Sequence, residues 1–414
     1  MTRPNGFKIT ILSPVSSNFG CSASQKEGGG GWLRFRKILD ESTSKSVKYY
    51  IVPVKSLKYP AAFFLPLTFI SVIRTLIQTA RVAKLQTVDL ILCPVEDPWM
   101  IINAYLSSKL TSRKLAVFVN SIPYFGLSSM PVFNAEDFNI SFKKLLHNTQ
   151  LAVKSRVKAP LTAFLWYIAF RVLKLSSTRI ICLNSLLVDD LSKINLKMNV
   201  VPIYPGNGID TDAVSLVANR GLIKFDAVYA SSSLVPQKGL FELIKIWRLV
   251  VDVIPDAKLA IAGKIDIAYM YVIKELNTLI SNLGLSHNVT ILNDPICGMT
   301  QDELWAEMKC ARIFLYPSKK DVWPLVIGEA LACGLPVITY NLPGIKYAYG
   351  DCTAVYLQNV SDIVGTAETV VHLLSDNLSL TELSKKSISF AKNHSWAYSV
   401  ELERKAYMSV LKCK

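Results

Sequence analysis

The chain has 414 residues, of which 51% are hydrophobic and 19% charged, with 46 Lys and Arg against 31 Asp and Glu. This is enough length for two or three domains with buried cores, and the composition excludes a largely disordered or fibrous protein. No pair among the eight cysteines has CxxC spacing, and His147, His287, His372 and His394 stand apart from one another and from the cysteines. A zinc site of the usual spacing is thereby excluded, and the cysteines read as free thiols in a reducing compartment.

The excess charge lies in the first half. Residues 1–205 hold 26 Lys and Arg against 10 Asp and Glu, whereas residues 206–414 hold 20 against 21. Such asymmetry points to an anionic partner for the first half. No nucleic-acid-binding motif accompanies the charge, so nucleic acid is set aside. Residues 7–13 form an apolar run that reads as a buried strand. A loop containing Gly28, Gly29, Gly30 and Gly31 follows, and a helix starts near Trp32. A glycine-rich loop between a first strand and a first helix suits phosphate contact. Further strands are expected at 47–54, 89–93, 114–119, 179–183 and 200–203, the third of them followed by Asn120.

Two stretches of the first half bear on membranes. Residues 59–73 and 159–170 are uncharged, but both are shorter than the ~20 residues that a spanning helix needs. No signal peptide is visible. On a helix over 61–84, Ser71, Arg74, Gln78 and Arg81 share one face, and Phe69, Ile70, Ile73, Leu76 and Ile77 help to make up the rest. Residues 160–170 are bracketed by Lys154, Arg156, Lys158, Arg171 and Lys174. Apolar residues beside basic ones suit a helix lying in the plane of an anionic leaflet, the alternative being core helices with solvated basic faces.

The alternation restarts after a Pro/Gly/Asn-rich turn at 204–210. Strands are expected at 225–230, 258–262, 289–292, 313–316 and 337–339, with helices at 241–253, 268–283, 302–308 and 325–333. Strands separated by helices predict parallel sheets covered on both faces. The expected class is α/β, with two doubly wound domains over 1–205 and 206–395 and a last helix over 396–414. Ligands in such folds bind at the carboxyl ends of the strands.

The most informative segment is 316–344, YPSKKDVWPLVIGEALACGLPVITYNLPG. A strand ends at Tyr316, a loop carries Asp321, Trp323 and Pro324, and a helix opens at Leu325 and Val326. The free N–H groups and positive dipole of a helix start suit a phosphate. Glu329 lies one turn inside, and acids at this spacing could accept hydrogen bonds from sugar or ribose hydroxyls. Gly334 suits a left-handed helix end, and Pro336 prevents continuation.

This segment resembles the donor-binding signature of retaining GT-B glycosyltransferases of family 4. That signature is an acid, seven residues, Glu, then Ala-x-x-x-Gly-x-Pro-Val. Here it reads Asp321, Glu329-Ala330 and Gly334-Leu335-Pro336-Val337, with Asp where Glu is usual. Gly206-Asn207-Gly208-Ile209-Asp210 resembles the turn that opens the family's second domain. Leu234-Val235-Pro236-Gln237-Lys238-Gly239 resembles the loop whose Lys holds the donor diphosphate, and Ser395-Trp396 begins a segment like the family's returning C-terminal helix. The likeness covers 206–414 and is much weaker in the first half. Two positions depart from the pattern. Ser233 falls in Ser232-Ser233-Leu234, where the family has Gly-Arg-Leu, and Asn120 stands where a His is frequent. Lys264, Lys319 and Lys320 are the cations that could replace the missing Arg.

The resemblance implies two Rossmann-like domains facing a cleft and a metal-independent, retaining glycosyltransferase with a nucleotide-sugar donor, UDP- or GDP-linked, and no cofactor. It places Lys238, Asp321, Glu329 and Asn120 in the catalytic centre. It places Gly29, Gly30, Gly31, Ser233, Lys264, Trp323, Pro324, Leu325 and Val326 around the donor. Asp210-Thr211-Asp212 mimics a metal-binding DxD but lies in the domain-opening turn. The basic half suits a lipid-linked or membrane-proximal glycan acceptor, and a cytoplasmic protein peripheral on an anionic membrane. The alternatives are a GT-B paralogue that binds without catalysing, supported by Ser233 and Asn120, and a non-hydrolysing nucleotide-sugar epimerase.

Overall fold

In the computed structural model, the described residues are 9–16, 38, 47–54, 73, 76–82, 88–94, 98–119, 158–182, 200–203, 206–218, 221–265, 270–292, 298–321 and 323–412. The chain divides into two compact units, Met1–Gly206 with Trp396–Lys414, and Asn207–Ser395. The expected loop with Gly29, Gly30 and Gly31, and Asn120, lie outside the described residues.

The described residues of unit 1 form six parallel strands: β1 Ile9–Ser16, β2 Val47–Val54, β3 Leu90–Cys93, β4 Lys114–Val119, β5 Thr178–Cys182 and β6 Val200–Pro202, in the order β2-β1-β3-β4-β5-β6. The β3 and β4 side chains are buried, Lys114 excepted, as the short apolar runs require of strands covered on both faces. Helices α1, Pro98–Thr111, and α2, Lys158–Leu173, contribute to their cover. On α2, Ala163, Trp166, Ala169, Phe170, Val172 and Leu173 are buried, and Trp166 and Phe170 lie with ring centroids 5.3 Å apart. Within 163–170, Ala163, Trp166, Ala169 and Phe170 therefore belong to the core, Leu165, Tyr167 and Ile168 are partly buried, and Phe164 is left half-exposed. In the 61–84 segment residues 73 and 76–82 are helical. There Ile73 and Ile77 are exposed together with Gln78 and Arg81, while Thr79 is buried. No helix among the described residues is long and apolar enough to cross a membrane.

The described residues of unit 2 form six parallel strands: β7 Phe225–Ser231, β8 Leu259–Gly263, β9 Val289–Ile291, β10 Ala311–Tyr316, β11 Val337–Tyr340 and β12 Val355–Gln358. Their order is β12-β11-β10-β7-β8-β9. The helices are α3 Thr211–Leu216, α4 Leu240–Val253, α5 Met270–Asn282, α6 Gln301–Met308, α7 Leu325–Ala332, α8 Pro343–Tyr349, α9 Ile363–Ser375 and α10 Asn377–Asn393. Helix α4 buries Leu240, Leu243, Ile244, Trp247, Val250 and Val251, a three–four spacing that turns one face to the core, and Ile246 widens the buried side. Asp362 and Asp376 cap α9 and α10 by accepting from the N–H groups of Gly365 and Ser379. The order of β7 to β12 is the doubly wound one, and its direction reverses between β7 and β10. That reversal is the place where such sheets hold ligands.

The last helix, α11 Trp396–Lys412, belongs to unit 1. Its Tyr407 hydroxyl donates to Glu403 Oε2 at 2.5 Å and accepts from the Tyr49 hydroxyl of β2 at 3.2 Å. Lys114 Nζ donates to the carbonyls of Val410 and Leu411 at the helix end, where carbonyl groups lack intrahelical partners.

Expected and observed strands agree within about three residues, the largest difference being the end of β1, expected at 13 and found at Ser16. β12 was not anticipated: its four residues are half-buried and give a weak period.

Candidate active site at the carboxyl ends of β7 and β10

Three loops meet at the reversal in unit 2. After β7 the chain runs through Ser232 and Ser233 to a single 3-10 turn, Pro236–Lys238, and then to Gly239 at φ 76° and α4. Leu234 is fully buried, and its N–H donates to the Lys264 carbonyl beyond β8 at 2.8 Å. The Ser231 hydroxyl donates to the Ser233 carbonyl at 3.0 Å. Gly263 must lack a side chain here, because a Cβ would fall 2.6 Å from the Ser231 carbonyl oxygen. Lys319, in the loop after β10, donates its N–H to the Gln237 carbonyl at 3.1 Å.

This framework brings Lys238 and Asp321 together. Lys238 Nζ donates to Asp321 Oδ2 at 2.5 Å and to the Lys320 carbonyl at 3.4 Å. The side chains of Lys238 and Asp321 are 24% and 12% exposed, so the pair is shielded but open to a ligand. Two buried tyrosines support it from beneath. Tyr229 of β7 and Tyr316 of β10 stack at 5.7 Å. The Tyr229 hydroxyl donates to the Lys238 carbonyl at 3.2 Å, and the Tyr316 hydroxyl donates to Asp321 Oδ2 at 2.7 Å. Burial and the Asp321 charge push both hydroxyls up, so at neutral pH they are donors.

Helix α7 opens beside the same loop. Its N-cap is Pro324, no side chain caps it, and its first turn has no acid. The Pro324 carbonyl accepts from the buried Tyr349 hydroxyl at 2.9 Å, and Trp323 packs edge-on against Tyr347 at 6.2 Å. Among the described residues no backbone partner meets the N–H groups of Leu325 and Val326 at this start, and such groups suit an anion. The turn at Asn207–Asp210 braces α7: a Cβ on Gly328 would fall 2.8 Å from Ile209, and the Ile209 N–H donates to the His394 carbonyl at 2.8 Å. Asp210 is the N-cap of α3, and Asp212 lies in its first turn. Glu329, one turn inside α7, accepts from Gln301 Nε2 at 3.0 Å.

Ser233 and Lys264 thus lie on the two loops that flank Lys238. Of the three cations named as substitutes for the missing Arg, Lys319 is committed elsewhere, to Glu242 of α4 at 2.6 Å. Sequence reasoning missed Tyr316, Tyr229 and Gln301. A tyrosine ending an otherwise apolar strand, as in ARIFLY, is the one local signal that points to the first.

Residues 224–394, all within unit 2, match the family model described as Glycosyl transferases group 1. An uncharacterized glycosyltransferase of Methanocaldococcus jannaschii is 25% identical over 238 residues, 58% of this chain and 61% of that protein. A D-inositol 3-phosphate glycosyltransferase of Mycolicibacterium smegmatis is 28% identical over 148 residues, 36% of this chain and 33% of that protein. The chain therefore spans about three fifths of the first relative's length and a third of the second's. Among solved structures, HepE of Anabaena in complex with UDP-glucose is similar with a TM-score of 0.64 at 16% identity, over 97% of this chain and 99% of that one. The sucrose-phosphate synthase of Thermosynechococcus elongatus gives 0.65 at 14%, over 97% and 99%. At these identities the likeness carries the fold: the chain has the GT-B fold, with two Rossmann-like α/β units.

Proposed function

We propose that the chain is a retaining, family-4-type glycosyltransferase that moves a sugar from a UDP- or GDP-sugar to a lipid-linked or membrane-proximal glycan acceptor. The observation that carries this reading is the Lys238–Asp321 pair, set at the carboxyl ends of β7 and β10 where the sheet order reverses.

The chemistry follows from charge. As the bond between the anomeric carbon and the diphosphate breaks, negative charge grows on the phosphate oxygens. The Lys238 ammonium and the N–H groups of Leu325 and Val326 stabilise that charge, fixed in place before the reaction. Asp321 orients hydroxyls of the sugar, and Glu329 takes those of the ribose. With Ser233 where an Arg is usual and Lys319 paired to Glu242, we choose Lys264 over Lys320 as the second phosphate cation, because its carbonyl accepts from the Leu234 N–H next to Ser233. The site needs no metal on this reading, because its cations are side chains.

The acceptor side rests on unit 1: the basic excess of residues 1–205, and the exposed Ile73, Ile77 and Phe164. These suit peripheral attachment at the cytoplasmic face of an anionic membrane. Flotation on liposomes with and without anionic lipid tests that part, and equal recovery in both discards it.

Thermal shift against UDP-, GDP-, ADP- and dTDP-sugars tests the donor site. A ligand at 100 times its dissociation constant adds about 2.7 kcal/mol. One nucleotide class is expected to stabilise the wild type. Lys238→Ala and Glu329→Ala are expected to abolish that shift, and Lys264→Ala to weaken binding by roughly ten- to a hundredfold, the equivalent of one charged contact. Lys319→Ala is expected to leave it unchanged. No shift with any donor in a cooperatively melting wild type would overturn the reading.

A further inference from the structure

The two oxygens of Asp321 are in different situations. Oδ2 accepts from Lys238 Nζ at 2.5 Å, from the Tyr316 hydroxyl at 2.7 Å and from the Ser318 hydroxyl at 3.5 Å. A carboxylate oxygen has two lone pairs, so the protein itself fills Oδ2. Among the described residues no donor reaches Oδ1. The carboxylate keeps a narrow opening to the outside, and Oδ1 is the oxygen with capacity left for a ligand.

Tyr316 is built to hold this arrangement. It is the last residue of β10 and is 1% exposed. Its ring is stacked on Phe314 at 5.8 Å and on Tyr229 at 5.7 Å, which fixes where the hydroxyl lies. A phenylalanine would fill the same space, so what the hydroxyl adds is the bond to the carboxylate. The contact also accounts for the acid at 321. An Asp is one methylene shorter than a Glu, and the shorter arm draws the carboxylate back to the strand end, where the tyrosine hydroxyl meets it.

We infer that Tyr316 is a positioning residue for the donor sugar, holding Asp321 by Oδ2 so that Oδ1 alone accepts one hydroxyl of that sugar. The inference rests on the nucleotide-sugar reading above. It makes Asp321 a selector for a single hydroxyl, and it separates the sugar contact from the contacts that hold the nucleotide.

The test is calorimetric titration of the full chain with UDP, UDP-glucose, GDP and GDP-mannose, using the pair of ligands that the wild type binds. Tyr316→Phe is expected to weaken the sugar-nucleotide roughly three- to tenfold, the loss of one hydrogen bond, and to leave the free nucleotide unchanged. Asp321→Asn also releases the Lys238 ammonium from its carboxylate, so it is read by the ratio of the two affinities: the sugar-nucleotide is expected to lose against the free nucleotide by a similar factor, and the double variant to lose no more in that ratio than the weaker single one. Asp321→Glu gives a readout that keeps the tyrosine. Its longer arm carries the carboxylate past the hydroxyl, and the same selective loss is expected. Tyr340→Phe is the control: it removes a buried hydroxyl from the neighbouring strand β11, one with no partner among the described residues, and is expected to change neither ligand. Equal losses for nucleotide and sugar-nucleotide, no loss, or additive losses in the double variant would overturn the inference while leaving the nucleotide-sugar reading intact. A wild type that binds none of the four ligands would remove that reading, and the inference with it.

Discussion

A Cβ placed on Gly239 would lie 1.8 Å from the carbonyl oxygen of Pro317. The two residues belong to the loops after β7 and β10, and their contact sets Lys238 against Asp321. Gly239 also has φ 76°, a left-handed conformation that costs other residues about 1–2 kcal/mol. Strain and clash act together in Gly239→Ala, because backbone on both sides must move. The expected loss of stability is roughly 3 kcal/mol, or about 6–12 °C in the melting temperature at 2–4 °C per kcal/mol. Gly284, also at positive φ but with nothing within 4 Å of its Cβ direction, provides the comparison. Gly284→Ala is expected to lose only the backbone share. Equal losses in the two variants would show that the loops part at no cost and do not fix the pair.

Much of this arrangement was legible in the sequence. The buried strands of unit 2 announce themselves because both faces are covered, so 225–230 and 337–339 read as apolar runs and appear as Phe225–Ser231 and Val337–Tyr340. Gly334, expected to end a helix in the left-handed region, does so at φ 84°. What escaped were contacts that only the folded loops create. The partner of Asp321 on β10 depends on how a five-residue loop folds back on its own strand. The pairing of Lys319 with Glu242 joins residues 77 apart, and nothing local in SKKD distinguishes Lys319 from Lys320. Residues 160–170 were ambiguous for another reason: apolar composition beside basic residues describes a core helix and an interfacial one equally well, and the helix buries Trp166 and Phe170 while leaving Phe164 exposed.

Gln301 carries a second expectation about the nucleotide. Its amide reaches Glu329 Oε2 from the first position of α6, whose start is locked by a complete capping box. Thr300 donates its N–H and its hydroxyl to Glu303, and the Glu303 N–H returns to the Thr300 hydroxyl. A donor on so fixed a helix start holds one oxygen of Glu329 in place. Gln301→Ala is expected to weaken ribonucleotide binding roughly threefold to tenfold without changing the affinity for the 2′,3′-dideoxy analogue. Gln301→Glu, which sets a like charge beside Glu329, is expected to lose more. Dissociation constants for UDP and 2′,3′-dideoxy-UDP, or for the guanosine pair, decide the matter. A parallel fall for both would mean that Glu329 does not read the ribose.

The buried tyrosines beneath the site predict an alkaline limit to stability. Desolvation pushes the hydroxyls of Tyr229, Tyr316 and Tyr349 above their ordinary value, with Asp321 adding to all three and Glu329 to Tyr349. Unfolded tyrosines ionise near pH 10. Below that pH the folded and unfolded chains hold these protons alike, and the stabilisation is complete. Above it the unfolded chain releases them and the folded chain keeps them, so stability falls as pH rises. Each such group contributes a slope of about −1.4 kcal/mol per pH unit once the unfolded form is ionised. Denaturant unfolding between pH 8 and 11.5 is expected to show this decline, with tyrosinate absorbance from the buried set appearing only as the protein unfolds. Tyr349→Phe loses its bond to the Pro324 carbonyl and starts less stable by about 1 kcal/mol, yet its stability is expected to decline less steeply by one group's share. Parallel pH profiles for wild type and Tyr349→Phe would show that this hydroxyl ionises within the folded protein and that the site is wetter than the stacked rings of Tyr229 and Tyr316 imply.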